Sequence, residues 1–176
     1  MMLTEPREST QLTTCGSPKA NVTINAAFMQ EIKEASSELW QILREISHLC
    51  AHPLSIHLHP RRSIELLRQL QDQLGLYFTL EEYYGYFEGP ARVDLEFSKR
   101  AADLRNQHQD MYLDICAIVD RAERLLDHRR AASLTHHIVV RTQAFQEQLK
   151  AHEAAEERLL LHSVMEVEND NHDTYR

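Results

Sequence analysis

The sequence predicts an all-α fold, an up-and-down antiparallel four-helix bundle, on three observations. Glycine (4) and proline (5) are scarce in 176 residues, too few to punctuate the short strands and turns of a β-rich fold. Apolar residues recur at three- and four-residue steps along four long segments, the mark of helices with one buried face. The stretches between these segments are short, which favours antiparallel neighbours.

The length suits one domain with a substantial core. Residues 1–22 are rich in Ser, Thr, Pro and charge without periodicity, which predicts a disordered tail ahead of a bundle over 23–168. The first helix spans about Asn25 to Leu49, with Phe28, Ile32, Leu39, Leu43 and Ile46 as its stripe. A histidine-rich loop, CAHPLSIHLHPRR, follows between Pro53 and Pro60. Ser63 reads as the N-cap of a second helix carrying Leu66, Leu70, Leu74, Tyr77 and Tyr84 to about Tyr86, before the Gly89-Pro90 stop. The third helix starts near Asp94 and shows Leu104, Met111, Ile115, Ile118, Ala122 and Leu125. After a charged break at about Asp127 to Ala132, Ser133 is a plausible cap for the fourth. That helix carries Ile138, Phe145, Leu149, Leu159 and Val164, and a polar tail at 169–176 closes the chain.

A formal charge of −8 repels phosphate and argues against nucleic acid as the main partner. No apolar run is long enough to span a bilayer and no secretory signal core is present, so no membrane role is expected. Cys15, Cys50 and Cys116 are scattered and odd in number, which suits a reducing, cytoplasmic setting. Cys116, within an apolar stretch, reads as a small core residue.

Each stripe also holds residues that an apolar core should not. The steps through the fourth helix run Phe145, Leu149, His152, Glu156, Leu159, and through the second Leu70, Leu74, Tyr77, Glu81, Tyr84. In the third they run Leu104, His108, Met111, Ile115, and in the first Ile32, Ser36, Leu39, Leu43. The chain moreover repeats itself. QLGLYFTLEE (73–82) aligns on QLKAHEAAEE (148–157), pairing Tyr77 with His152 and Glu81 with Glu156, an offset of 75. SSELWQIL (36–43) aligns on HQDMYLDI (108–115) with an offset of 72, pairing Ser36 with His108. Two near-equal offsets suggest one helix pair used twice about a pseudo-two-fold axis. Counted from a common bundle end, Glu81, His108 and His152 fall at one depth, with Glu156 one turn deeper, about 6 Å.

An unpaired buried carboxylate costs several kcal/mol. A divalent or trivalent ion removes that cost, since imidazole and carboxylate together suit iron, manganese or zinc. His-x-x-x-Glu puts both groups on one helical face, one turn apart. The competing reading is a metal-free polar layer in which Tyr77 and His108 hydrogen-bond the carboxylates.

On LKAHEAAEERLLL and LYFTLEEYY, the chain from about 25 to 168 resembles the hemerythrin-like (HHE cation-binding) family, four-helix bundles that hold a non-haem di-iron centre. The resemblance implies metal ligands at Glu81, His108, His152 and Glu156. The family's second-helix histidine position holds Tyr77, the first-helix position holds Ser36, and Tyr112 stands where some members place another histidine. The positions kept amount to one half-site. This implies non-haem iron, one or two ions, or another divalent metal, with Tyr77 as a cofactor-binding phenol or hydrogen-bond donor. The site also resembles the facial two-histidine, one-carboxylate arrangement with open positions.

The function so implied is reversible binding or sensing of a small diatomic ligand at a metal ion. The alternatives are a non-haem iron oxidoreductase acting on peroxide, oxygen or nitric oxide, and a metal-free bundle serving as an interaction module. No nucleophile, general acid or substrate pocket stands out, which favours binding over turnover. Glu82 and Glu157 read as solvated surface, and His48, His52, His57 and His59 with Cys50 as a flexible loop rather than a peripheral zinc or nickel site. The cluster Tyr83, Tyr84, Tyr86 and Phe87 reads as closure of the bundle end. His136 and His137 open the fourth helix and receive no role.

Overall fold

The computed structural model describes residues 26–84 and 95–173. Every regular element among them is a helix: α1 (Ala26–Ala51), α2 (Pro53–Leu58), α3 (Pro60–Tyr84), α4 (Leu95–Asp127) and α5 (Ala131–Asp173). The N-terminal tail, Gly89-Pro90, Tyr86 and Phe87 lie outside the described residues.

The alternating three- and four-residue steps decide which faces are buried. In α5 the buried residues are Leu134, Ile138, Thr142, Phe145, Leu149, His152, Glu156 and Leu159. Spacing near 3.5 residues keeps such a seam turned toward its neighbours along the helix's length. α1 does the same through Ile32, Ala35, Leu39, Leu43, Ile46 and Cys50, and α4 from Phe97 to Leu125. α1 packs on α3 and α5, α3 on α4, and α4 on α5. Partner numbers show the directions. Arg68 meets Glu123 while Glu82 meets His108, so α3 and α4 run antiparallel. His137 meets Ile118 while His152 meets Gln107, so α4 and α5 do too.

The histidine-rich segment departs from the loop expected of it. It contains α2, held by the fully buried Ile56, and α3 begins at Pro60 rather than at Ser63. Both prolines open helices, where a missing N–H breaks no ladder bond. Ser63 is therefore no cap. It sits buried within α3 and donates its hydroxyl to the His59 carbonyl at 3.1 Å. Ser133 is not a cap either, because α5 starts two residues earlier and Leu134 N–H bonds the Arg130 carbonyl. The same helix continues to Asp173, past the expected end near 168. The cysteines exchange roles: Cys50 is buried and hydrogen-bonded with Thr142, whereas Cys116 is half-buried and accepts from Gln71. Tyr83, expected to close the core, is exposed.

The α4–α5 turn closes with Arg130 N–H on Leu125 O and Arg129 N–H on Leu126 O, both 2.9 Å, and with Arg129 at φ 54°. This is the two-bond helix stop whose left-handed position usually holds glycine. A side chain there costs about 1 kcal/mol. Arg129→Gly is accordingly expected to raise stability by about 0.5 kcal/mol, the gain being trimmed by glycine's greater freedom when unfolded. A urea titration would reveal it, and a clear destabilisation would contradict it.

Candidate metal centre

The stripes of α3, α4 and α5 carry polar side chains inward at one level, between two apolar clusters. Below lies the main core with Leu74, Met111 and Leu149. Beyond lies a smaller one made of Phe97, Ala101, Leu104 and Leu159. The polar level sits between Leu104 and Met111 on α4 and between Leu149 and Leu159 on α5, where continuation of the same steps places His108, His152 and Glu156.

Those three converge. His108 Nε2 lies 3.0 Å from His152 Nε2 and 3.3 Å from Glu156 Oε1, and His152 Nε2 lies 3.2 Å from that same oxygen. All three residues are buried. Glu81, buried on α3, brings Oε2 to 3.6 Å from His108 Nε2, beyond hydrogen-bond range. Tyr77 is buried beside it and donates its hydroxyl at 3.2 Å to Glu153 Oε2. The five residues picked from the sequence thus share one layer. Ser36 and Tyr112 do not join it: Ser36 is half-buried on α1, and Tyr112 is partly exposed against Gly75.

Three participants, Glu153, Glu82 and Gln107, escaped the sequence reading. Glu153 follows His152 directly, about 100° around the helix. It is nevertheless one turn beyond Leu149, and the buried stripe of a packed helix exceeds 100° in width. Its donor atom groups with those of Glu81 and Glu156 within 4.8 Å of one another, as do those of His108, His152 and Glu156. Glu156 belongs to both groups. Glu82, read as solvated surface, is indeed exposed, yet its Oε1 lies 3.1 Å from His108 Nδ1. Glu157 is exposed as expected.

The outer contacts orient both rings. Glu82 Oε1 accepts from His108 Nδ1, and Gln107 Oε1 accepts from His152 Nδ1 at 3.1 Å. Both outer partners are oxygens, so Nδ1 is the atom that donates outward in each ring and Nε2 is the atom turned inward. Phe78 stacks on His108 with ring centres 4.2 Å apart and 7° between planes, which holds that orientation. Two imidazole Nε2 atoms and a carboxylate oxygen therefore face one another at 3.0–3.3 Å. Only a shared proton or a cation relieves such a set.

The carboxylates respond unequally. Burial, then the charge of Glu156, pushes Glu81 up to about 9, with Tyr77 opposing in part. Burial and Glu156 also raise Glu153. For Glu156 burial alone would raise the value, but hydrogen bonds from His108 and His152 outweigh it and hold the carboxyl below its ordinary range. Burial raises the Tyr77 phenol far above its ordinary value, so it stays a neutral donor. Glu81 Oε2 and Glu153 Oε1 are buried without a hydrogen-bond partner, at about 1–3 kcal/mol each.

A raised carboxyl pKa means that the folded chain holds its proton more tightly than the unfolded one, whose glutamates titrate near 4.3. The associated stability is complete below that pH and drains away as pH climbs through about 9. Glu156 acts oppositely, its contribution present above its unfolded value and lost toward acid. Chelator-treated protein should lose stability between about pH 5 and 9, and Glu81→Gln should flatten that slope and be the more stable form at pH 8.5. Parallel urea midpoints for the two proteins across that range would refute the assignment.

An open groove of about 500 Å³ between α3 and α4 reaches the outer face of His108, with Glu82, Gly75, Phe78 and Tyr112 along it. A Cβ on Gly75 would come within 3.1 Å of the Tyr112 ring, so the glycine lets that ring lie close against α3. Among the described residues no helix is long and apolar enough to cross a membrane. No protein-family model, no curated protein and no solved structure matches this chain.

Proposed function

We propose that this chain is a hemerythrin-like metal-binding protein whose four long helices form an up-and-down bundle around non-haem iron. One observation carries the reading: the inward Nε2 atoms of His108 and His152 stand 3.0 Å apart and 3.2–3.3 Å from Glu156 Oε1 while both Nδ1 atoms are engaged outward. Outward Nδ1–H bonds to oxygen are how metal-binding imidazoles are normally held. Two ligands about 2.1 Å from one ion stand about 3.0 Å apart at a right angle and about 3.4 Å apart at the tetrahedral angle. The observed triangle falls in that interval.

In this reading His108, His152 and Glu156 hold one ion, and Glu81 and Glu153 supply the oxygens available to it or to a second ion sharing Glu156. A bound iron supplies an open position for a small diatomic ligand such as oxygen or nitric oxide. The protein's own part is to orient the imidazoles through Glu82 and Gln107, to keep Tyr77 protonated as a donor, and to exclude bulk water with Phe78, Leu104 and Leu159. Manganese or zinc would satisfy the same donors. The location proposed is the cytoplasm, in line with the free thiols of Cys50 and Cys116.

The rival reading, a metal-free polar layer, draws support from the contact of Tyr77 with Glu153 and of both histidines with Glu156. It leaves Glu81 Oε2 and Glu153 Oε1 unsatisfied, which a layer built only for hydrogen bonding should not do. Metal analysis of protein purified from iron-rich medium separates the two. About one ion or more per chain, falling in Glu81→Ala and Glu156→Ala, supports the metal reading. Less than about 0.2 ion per chain, unchanged by the substitutions, leaves the metal-free module.

A further inference from the structure

At the opposite end of the α4–α5 pair lies a second groove, of about 600 Å³, which the candidate metal centre does not use. Arg121 and Leu125 line it from α4, Arg130 from the turn, and Ser133, His136, Val140 and Arg141 from α5. No acidic residue lines it, in a chain whose net charge is −8. Such segregation costs repulsion among like charges and needs a reason.

Neighbouring carboxylates neutralise only one of its three arginines. Asp114 takes Arg141 and Glu123 takes Arg68, whereas among the described residues Arg121 and Arg130 have no ion-pair partner. The first turn of α5 contains no acidic residue, so the positive end of a 43-residue helix adds to the guanidinium charges. His137 lies beside these charges. Its Nε2 donates to Ile118 O at 3.0 Å, and burial, with Arg141, Arg121 and His136 acting in the same sense, holds its pKa below the ordinary histidine value. Leu125 and Val140 give one wall an apolar character. The volume lies within the range of small-molecule sites.

We propose that this groove binds a small phosphate ester, with Arg121 and Arg130 clamping the phosphate and the apolar wall holding the organic part. Two unpaired planar forks match the oxygens and charge of a phosphate dianion better than the single charge of a carboxylate. The proposal stands independently of any metal at the other site.

Phenyl phosphate and inorganic phosphate, titrated into the full, chelator-treated chain and followed by calorimetry and amide spectra, test it. Phenyl phosphate should bind at least about 5-fold more tightly than phosphate and perturb the amides of Ala132, Ser133 and His136. Arg121→Ala combined with Arg130→Ala should weaken it at least about 10-fold, while His152→Ala leaves it unchanged. Equal affinity for the two anions, indifference to the arginine substitutions, or loss of binding in His152→Ala would each overturn the assignment.

Discussion

Replacing His152 by alanine is expected to weaken ion binding by at least about 100-fold. Loss of a partner that merely orients a ligand already costs roughly 10- to 100-fold, and His152 supplies a donor atom itself. The sensitive readout is the shift in unfolding temperature between metal-free and metal-loaded protein, compared within each variant so that any general effect of the substitution cancels. An ion present at 100 times its dissociation constant stabilises by about 2.7 kcal/mol. For a chain of this length that corresponds to about 5–11 °C. Wild type should show this rise with ferrous iron, and His152→Ala should show less than about 2 °C. An equal rise in both would place the ion elsewhere, with the histidine-rich stretch around His48 and His52, whose rings stand 4.5 Å apart, the first place to look.

The second large effect concerns the core that sets the height of the candidate metal layer. Phe145 is fully buried in the main cluster, two turns before His152 on α5. Phe145→Ala should cost about 3–5 kcal/mol through lost transfer energy and an unfilled cavity, or about 6–20 °C in unfolding temperature. Leu113→Ala, on the exposed side of α4, is the control and should stay within about 0.5 kcal/mol. A Phe145→Ala loss as small as the control's would mean that the α5 seam is not packed as described.

How far the site could be read in advance differs from residue to residue. His108, His152, Glu81 and Glu156 were visible because each interrupts an apolar stripe at a position that the three- and four-residue steps mark as inward. Glu153 was hidden by its neighbour, since adjacent residues point about 100° apart and only the width of the buried face admits both. Gln107 and Glu82 were hidden for another reason. Both are exposed, and their role depends on which atom of a histidine faces them across a helix boundary. Neither periodicity nor repeat offset carries that information.

The same division runs through the fold. Scarce glycine and proline with long apolar stripes determined an all-α fold, because helix formation and a buried face are local properties that a window of residues encodes. Pro53 and Pro60 show where local reasoning stops. A proline can end one helix or open the next, and burial of Ile56 against the long helices decided for opening. Tertiary packing alone decided that two imidazole Nε2 atoms face one carboxylate oxygen and that Glu81 and Glu153 each keep an unsatisfied oxygen. Those features depend on distances between helices remote in sequence.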